Sequence, residues 1–359
     1  MTPVTRFTTA LQTSHTMATR LDAYRGGQLV ASGLQYIDGE VAAARVTGIR
    51  RGYNLNVPAT AQWKALLATP GLELRPFRGL NYGYGPKELY PLGRFPVMAN
   101  SLDTAVGNAI PVSTSDYWSL IVADQFTFPR ASPTGQIRYV MAQLMDESLS
   151  QIGLPKTIVT ATSTLAVTPV VWASDRSGAI GELATSISAE AFIDANGQPW
   201  VQDRKPIGVP VYTVTDGVGG TRVNLVATTD WSGVFNVVSV TSTTTDPAFV
   251  FPNITVSIQD PTSPAYWRRI GRRVYPYSSA QVYTTAQATS VAQTLLAKYS
   301  QPARTLAISC VPNVTLNEGD TIATTVDGGR TENAQIQTIT YPMTDDGVQK
   351  ITTISGGGN

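Results

Sequence analysis

The sequence predicts a mainly β, multi-domain protein (β/α+β) with two helices. Three observations predict it. Glycine-bearing turns recur roughly every 8–12 residues, the spacing of strands in sandwiches and barrels. Valine and threonine, which fit a pleated surface, crowd the runs between those turns. Only two stretches carry apolar residues at helical spacing.

At 359 residues the chain exceeds the roughly 250–300 residues at which one core stops growing. Its texture divides it into an N-terminal β unit over 1–115, a middle α+β region with hairpins over 116–265, and a helix followed by β structure over 266–359. In the first part, RGGQ (Arg25–Gln28) and IDGE (Ile37–Glu40) are compact hairpin signals, because glycine supplies the positive φ such turns need. LELRPFRGLNYGYG and LYPLGRFPVMANSLD add two strand segments around a Gly/Tyr-rich loop.

The first helix is expected from Ser132-Pro133-Thr134 through Ile137, Val140, Met141, Leu144 and Leu149, with Gly153 and Pro155 ending it. Its Met/Leu stripe reads as a core face. Strands then resume, with Asn196-Gly197 as a clear hairpin turn in AEAFIDANGQPWVQDR. The glycines of DGVGG (Asp216–Gly220) lack the Lys-Ser/Thr pair and the following helix of a phosphate loop. A second helix is expected over Ser279–Ser300, with Ala286, Val291, Leu295, Leu296 and Tyr299 on its apolar side. Strands close the chain, joined by turns at Asp327-Gly328-Gly329 and Asp345-Asp346-Gly347. No fixed-period repeat is evident.

Composition narrows the function classes. Charged residues are 14% of the chain, against about 25% in ordinary soluble domains. So neutral a surface points to cover by other subunits. A net charge of +1 gives no global attraction to nucleic acid or anionic membrane. The single cysteine, Cys310, excludes an intrachain disulfide, and its LAISCVP setting reads as a buried strand. No run approaches the ~18 apolar residues of a membrane span, and the N-terminus shows no secretory signal.

Chemistry is thinly represented. His15 is the only histidine and lies in a polar segment near the chain end, a poor place for a catalytic or zinc-binding role. Paired carboxylates could serve a glycosidase. The candidates are Asp146-Glu147, Asp194, Asp203, Glu318-Asp320 and Asp345-Asp346, and each has a simpler reading on a helix face or in a turn. The six tryptophans are spread singly, which favours cores and interfaces over a sugar-binding groove. The expectation is no enzyme, no cofactor and no metal.

One basic cluster stands out, with Trp267, Arg268, Arg269, Arg272 and Arg273 between Tyr266 and Tyr275. Arginine interleaved with aromatics suits single-stranded nucleic acid or an acidic groove on a neighbouring subunit, where Arg, Trp and Tyr dominate contact energy. The low net charge and the lack of a second basic stripe favour the subunit interface or a structural salt-bridge role. Arg50, Arg51, Arg75, Arg78 and Arg94 punctuate the first β unit and are candidates to line a pore or to pair with a stacked ring.

Joint occurrence of several motifs carries a family resemblance. The run RLDAYRGGQLVASGLQYIDGEVAAARVTGIRRGYNLNV, then ELRPFRGL and ELYPLGRFPV, resembles the opening domain of minor tail proteins from actinobacteriophages. The alanine-rich helix followed by ARTLAISCVPNVTLNEGDTIAT, and the AFIDANGQPWVQDR hairpin, are similar to phage tail-tip (baseplate) hub proteins. The resemblance implies tube-like antiparallel β-barrels, two per subunit, in a homotrimeric ring that joins a sixfold tail tube to a threefold tip. A second barrel would combine the C-terminal part with some of the middle region. It implies a distal tail protein, a tape-measure protein and tip or fibre proteins as partners, with DNA passing through the lumen unread. It places the protein in the virion, at the tail tip, after synthesis in the host cytoplasm. The alternative is a carbohydrate-binding or cell-wall-degrading tail module, which would need an aromatic groove and facing carboxylates.

Overall fold

The computed structural model describes residues 3–13, 15–83, 85–98, 109–167, 169–242, 253–279, 284–300, 302–326 and 329–355. Strands hold 40% of the chain and helices 20%, so the mainly β expectation holds, with several sheets. The chain forms two compact units. One is Met1–Leu225 with Ile308–Thr353, the other Val226–Ala307 with Ile354–Asn359. The segment 116–265 thus contributes to both.

In the larger unit the first sheet is antiparallel, in the order Gln28–Ala31, Thr16–Arg25, Leu72–Asn81, Glu88–Pro91, with Phe95–Pro96 also pairing to Leu72–Asn81. Arg25 pairs with Gln28 across a two-residue loop, and Gly26 and Gly27 take φ of 55° and 78°. This is the mirror-type turn that matches strand twist and that the RGGQ motif predicts.

The second sheet joins the two ends of the sequence. Asp38–Ala44 pairs on one side with Arg51–Pro58, itself next to Ala109–Ser115, and on the other with Thr331–Pro342. The Val41↔Tyr341 pair sits in that ladder, with Val41 and Tyr341 both buried. Arg51–Pro58 alternates buried and more exposed residues, as a strand with one face on a core must. Thr321–Thr325 pairs with Thr331–Pro342, and Tyr212–Val214 adds to it in parallel.

Between Ala109–Ser115 and the hairpin that begins at Ala189 the chain is mainly helical. The helix Ile137–Leu149 buries Ile137, Val140, Met141, Leu144, Met145 and Leu149, the expected stripe. It starts later than Ser132. Thr134 and Gly135 form a bend, with Gly135 at φ 140°, and Gln136 is extended and bridged to Ala166, so the helix begins only at Ile137, and Gly153 at φ 75° ends the turn that follows it. A further helix, Arg176–Ser186, carries Gly178 and Gly181, which hide it in the sequence. Asp175 caps it by accepting from the Gly178 N–H at 2.8 Å. The short helices Pro3–Ala10, Ala61–Ala68 and Trp118–Ala123 also lie outside the two helices the sequence predicts. Trp118, Ile121, Met145, Ile180 and Val201 meet in one core beneath the hairpin Ala189–Ile193/Pro199–Asp203. Its turn is the predicted one. Gly197 has φ 80°, and Asp194 Oδ1 accepts from the N–H groups of Asn196 and Gln198 at 2.8 and 2.9 Å.

In the smaller unit, Val237–Ser242 pairs antiparallel with Ile254–Ser257 and parallel with Val274–Ser279. The helix Thr285–Tyr299 lays Ala288 and Ala292 on Val238 and Val240, all fully buried. Of the expected helix, residues 280–283 lie outside the described residues, as do Asp327 and Gly328 of the predicted final turn.

Candidate functional site

Arg50 and Arg51 sit where the N-terminal, middle and C-terminal parts of the larger unit converge. The turn that precedes Arg51–Pro58 folds their backbone N–H groups onto one oxygen of Asp116, at 2.9 and 2.8 Å. The other Asp116 oxygen accepts from the Trp118 N–H at 3.0 Å. Burial pushes this carboxyl up to about 6, against the three backbone donors that favour its charge.

The side chains then build a chain of alternating charge. Glu190 accepts from Arg45 at 2.6 Å and from Arg50 at 3.0 Å. Glu318 accepts from Arg51 at 2.8 Å and lies 3.8 Å from Arg50. Arg45 also donates to Gln335, and Arg51 to the carbonyl of Leu92 at 3.0 Å. The Arg50 guanidinium rests 3.5 Å over the Phe192 ring. All five charged side chains are less than a tenth exposed. Buried charges persist only when paired, and here each guanidinium has a carboxylate, although the Arg51 Nε has no hydrogen-bond partner among the described residues.

A second cluster centres on Glu73, which accepts from Arg75, Arg94 and Tyr117. Burial opposes its charge, but those hydrogen bonds outweigh it and hold the carboxyl down to about 2. Arg78 is fully buried and donates to the carbonyls of Pro342 and Thr344. Arg50, Arg51 and Arg78 therefore do not line a pore. Each is buried inside its own chain, because strand pairing between the sequence ends encloses it.

The carboxylates considered for acid–base work are scattered and engaged. Asp146 accepts from the Thr157 N–H and hydroxyl at 2.8 and 2.7 Å, and Glu147 from Arg130 and Arg176 at 2.5 and 2.7 Å. Asp203 holds Thr162 at 2.7 Å, and Asp320 accepts from the Asn317 N–H at 2.8 Å. His15 Nδ1 lies 2.7 Å from the Thr13 carbonyl. Cys310 is buried, which pushes its thiol up to about 12. Asp345 and Asp346 are exposed.

The basic cluster lies in the smaller unit, on the one-turn helix Trp267–Ile270 and the residues after it. Trp267 is 45% exposed and Arg268 stacks 5.1 Å from its ring. Arg268, Arg269 and Arg272 are exposed. Arg273 is different. It donates to the Trp231 and Ser232 carbonyls, and its N–H donates to Asn236 Oδ1 at 2.8 Å, so it holds its own unit together.

No protein-family model matches the chain, and no curated protein matches its sequence. Solved structures do match. A tail protein from Neisseria meningitidis MC58 is similar at 11% identity and TM-score 0.68, over 95% of this chain and 97% of that one. The 43 kDa tail protein of prophage MuSo2 from Shewanella oneidensis matches at 14% identity and TM-score 0.59, over 93% and 98%. The E. coli c3393 protein matches at 10% identity and TM-score 0.52, over 91% and 76%. It is a type VI secretion component, itself described as structurally similar to the T4 bacteriophage tail proteins gp27 and gp5. At these identities the likeness is one of fold, and this chain has the fold of phage tail proteins.

Proposed function

We propose that this chain is a non-enzymatic structural hub of a phage tail tip, of the actinobacteriophage type, working as a homotrimer. Three copies would present tube-like β-barrels as a pseudo-sixfold ring below the tail tube and a threefold face toward the tip. The ring would frame the channel through which DNA is ejected, without reading its sequence. Its neighbours would be a distal tail protein, the end of the tape-measure protein, and tip or fibre proteins.

The observation that carries this reading is the end-to-end match to a tail protein, 95% of this chain on 97% of the other. The internal network supports it. A subunit that must hold shape around a lumen gains from tying its first strands to its last, as Arg51–Glu318 and Arg78–Pro342 do. The role is mechanical, with the carboxylates fixing turns and helix faces. The test is a phage lacking this chain. Particles with tubes that end abruptly and cannot eject DNA support the proposal, whereas complete, infective tails overturn it. Glycan hydrolysis by the isolated chain would move the cell-wall-degrading alternative ahead.

A further inference from the structure

Nearly every arginine of the larger unit singled out above is engaged inside the chain. The smaller unit is the exception. Among the described residues, the side chains of Arg268, Arg269 and Arg272 have neither an ion pair nor a hydrogen bond, and all three are exposed beside a half-exposed Trp267. Asp260, which acts electrostatically on Arg269, is already bound to the Thr262 hydroxyl and N–H of its own turn.

Charge is divided unequally along the chain. The segment 226–307 has six lysines and arginines against three aspartates, a net of +3, which leaves −2 for the rest of a chain whose total is +1. The larger unit also contains an acidic groove of about 380 Å³, with Asp38 and Glu40 on one wall. Pro111 and Pro342 add apolar surface. Asp38 is exposed and, among the described residues, accepts only the Asn56 amide, at 2.7 Å. Neither Asp38 nor Glu40 has an ion-pair partner among the described residues. The exposed Asp345 and Asp346 follow in the next loop.

We infer that the Trp267/Arg268/Arg269/Arg272 surface of one copy docks into the Asp38/Glu40 groove of the next. This names the subunit contact of the hub reading and rests on it. Two different surfaces meeting head to tail form a heterologous interface, the kind that closes a ring. The chemistry fits on both sides. A planar aromatic has proline and aliphatic surface to cover, and planar guanidinium groups have carboxylates to bind in paired fashion. Opposite patches also steer the copies into register. Arg273 has no part in the contact, since it is occupied within its own unit.

The experiment measures the mass of the full-length chain in solution at low and high salt. The wild type should form a closed oligomer that salt weakens. Arg268→Glu/Arg269→Glu/Arg272→Glu should weaken self-association roughly tenfold or more, the scale of a close charge pair turned repulsive. Asp38→Lys/Glu40→Lys should do the same. Combining all five substitutions in one chain should restore the oligomer, because every interface regains opposite charges. Circular dichroism matching the wild type establishes that each variant folds. A wild type that stays monomeric, swaps without effect, or a combined variant that stays apart each overturn the inference. So would loss of binding to a single-stranded oligonucleotide with self-association intact, which would assign the surface to nucleic acid. Unaltered trimers in the swapped variants refute only this contact, while absence of the chain from the tail tip refutes the hub reading itself.

Discussion

Replacing Glu190 with alanine would leave two buried cations facing each other. Glu190 is 7% exposed at its side chain, and its partners Arg45 and Arg50 are 3% and 2% exposed. Removing one partner of a buried pair typically costs about 3–5 kcal/mol, because the remaining charge is left desolvated. Both arginines keep other contacts. Arg45 still reaches Gln335 and the Lys205 carbonyl, and Arg50 still reaches the Val46 carbonyl at 3.2 Å and Glu318 at 3.8 Å. The loss should therefore fall near the lower end, about 3 kcal/mol. Urea unfolding followed by tryptophan fluorescence reports it, since Trp63 and Trp118 are buried in the same unit. A loss below about 1 kcal/mol, the value of an exposed surface pair, would refute the claim that this network holds the unit together.

Three further outcomes follow from the same structure. Glu73 titrates at about 2 in the fold against 4.5 ordinarily. A depressed carboxylate adds stability above its unfolded value and loses it as pH falls toward the folded one. Stability should drop between about pH 4.5 and 2, and Glu73→Gln should flatten that slope in acid titrations of unfolding. Gly79→Ala should prevent stable folding of the first sheet, because its Cβ would lie 1.7 Å from the Glu88 carbonyl oxygen. Near-wild-type thermal melting would contradict the Leu80↔Glu88 register. Cys310 should react with a thiol reagent only at the rate of unfolding, since it is buried and its thiol is pushed up to about 12. Prompt labelling of native protein would show an open strand.

Local signals are legible in the sequence where a few neighbouring residues decide the conformation. The Gly26-Gly27 and Asn196-Gly197 turns and the stripe from Ile137 to Leu149 are of this kind. The helix Arg176–Ser186 is hidden in the sequence because Gly178 and Gly181 depress its propensity, although Asp175 is a legible cap. The pairing of Val41 with Tyr341 joins residues three hundred apart in sequence, and no local pattern encodes such a contact. That long-range ladder also explains the misreading of Arg50, Arg51 and Arg78. Their placement along the first β unit made them candidates to line a pore or to pair with a stacked ring, whereas the returning C-terminal strands bury Arg51 against Glu318 and Arg78 against Pro342. The Trp267–Arg272 cluster is legible because it is contiguous, but only the structure separates the exposed Arg268, Arg269 and Arg272 from Arg273, which is hydrogen-bonded within its own unit.

The most direct test of the hub reading is cryo-electron microscopy of the tail tip on intact particles. It should find three copies of this chain in a closed ring at the end of the tail tube, their β sheets surrounding the lumen. Copies only on peripheral appendages, or none in the tail, would contradict it.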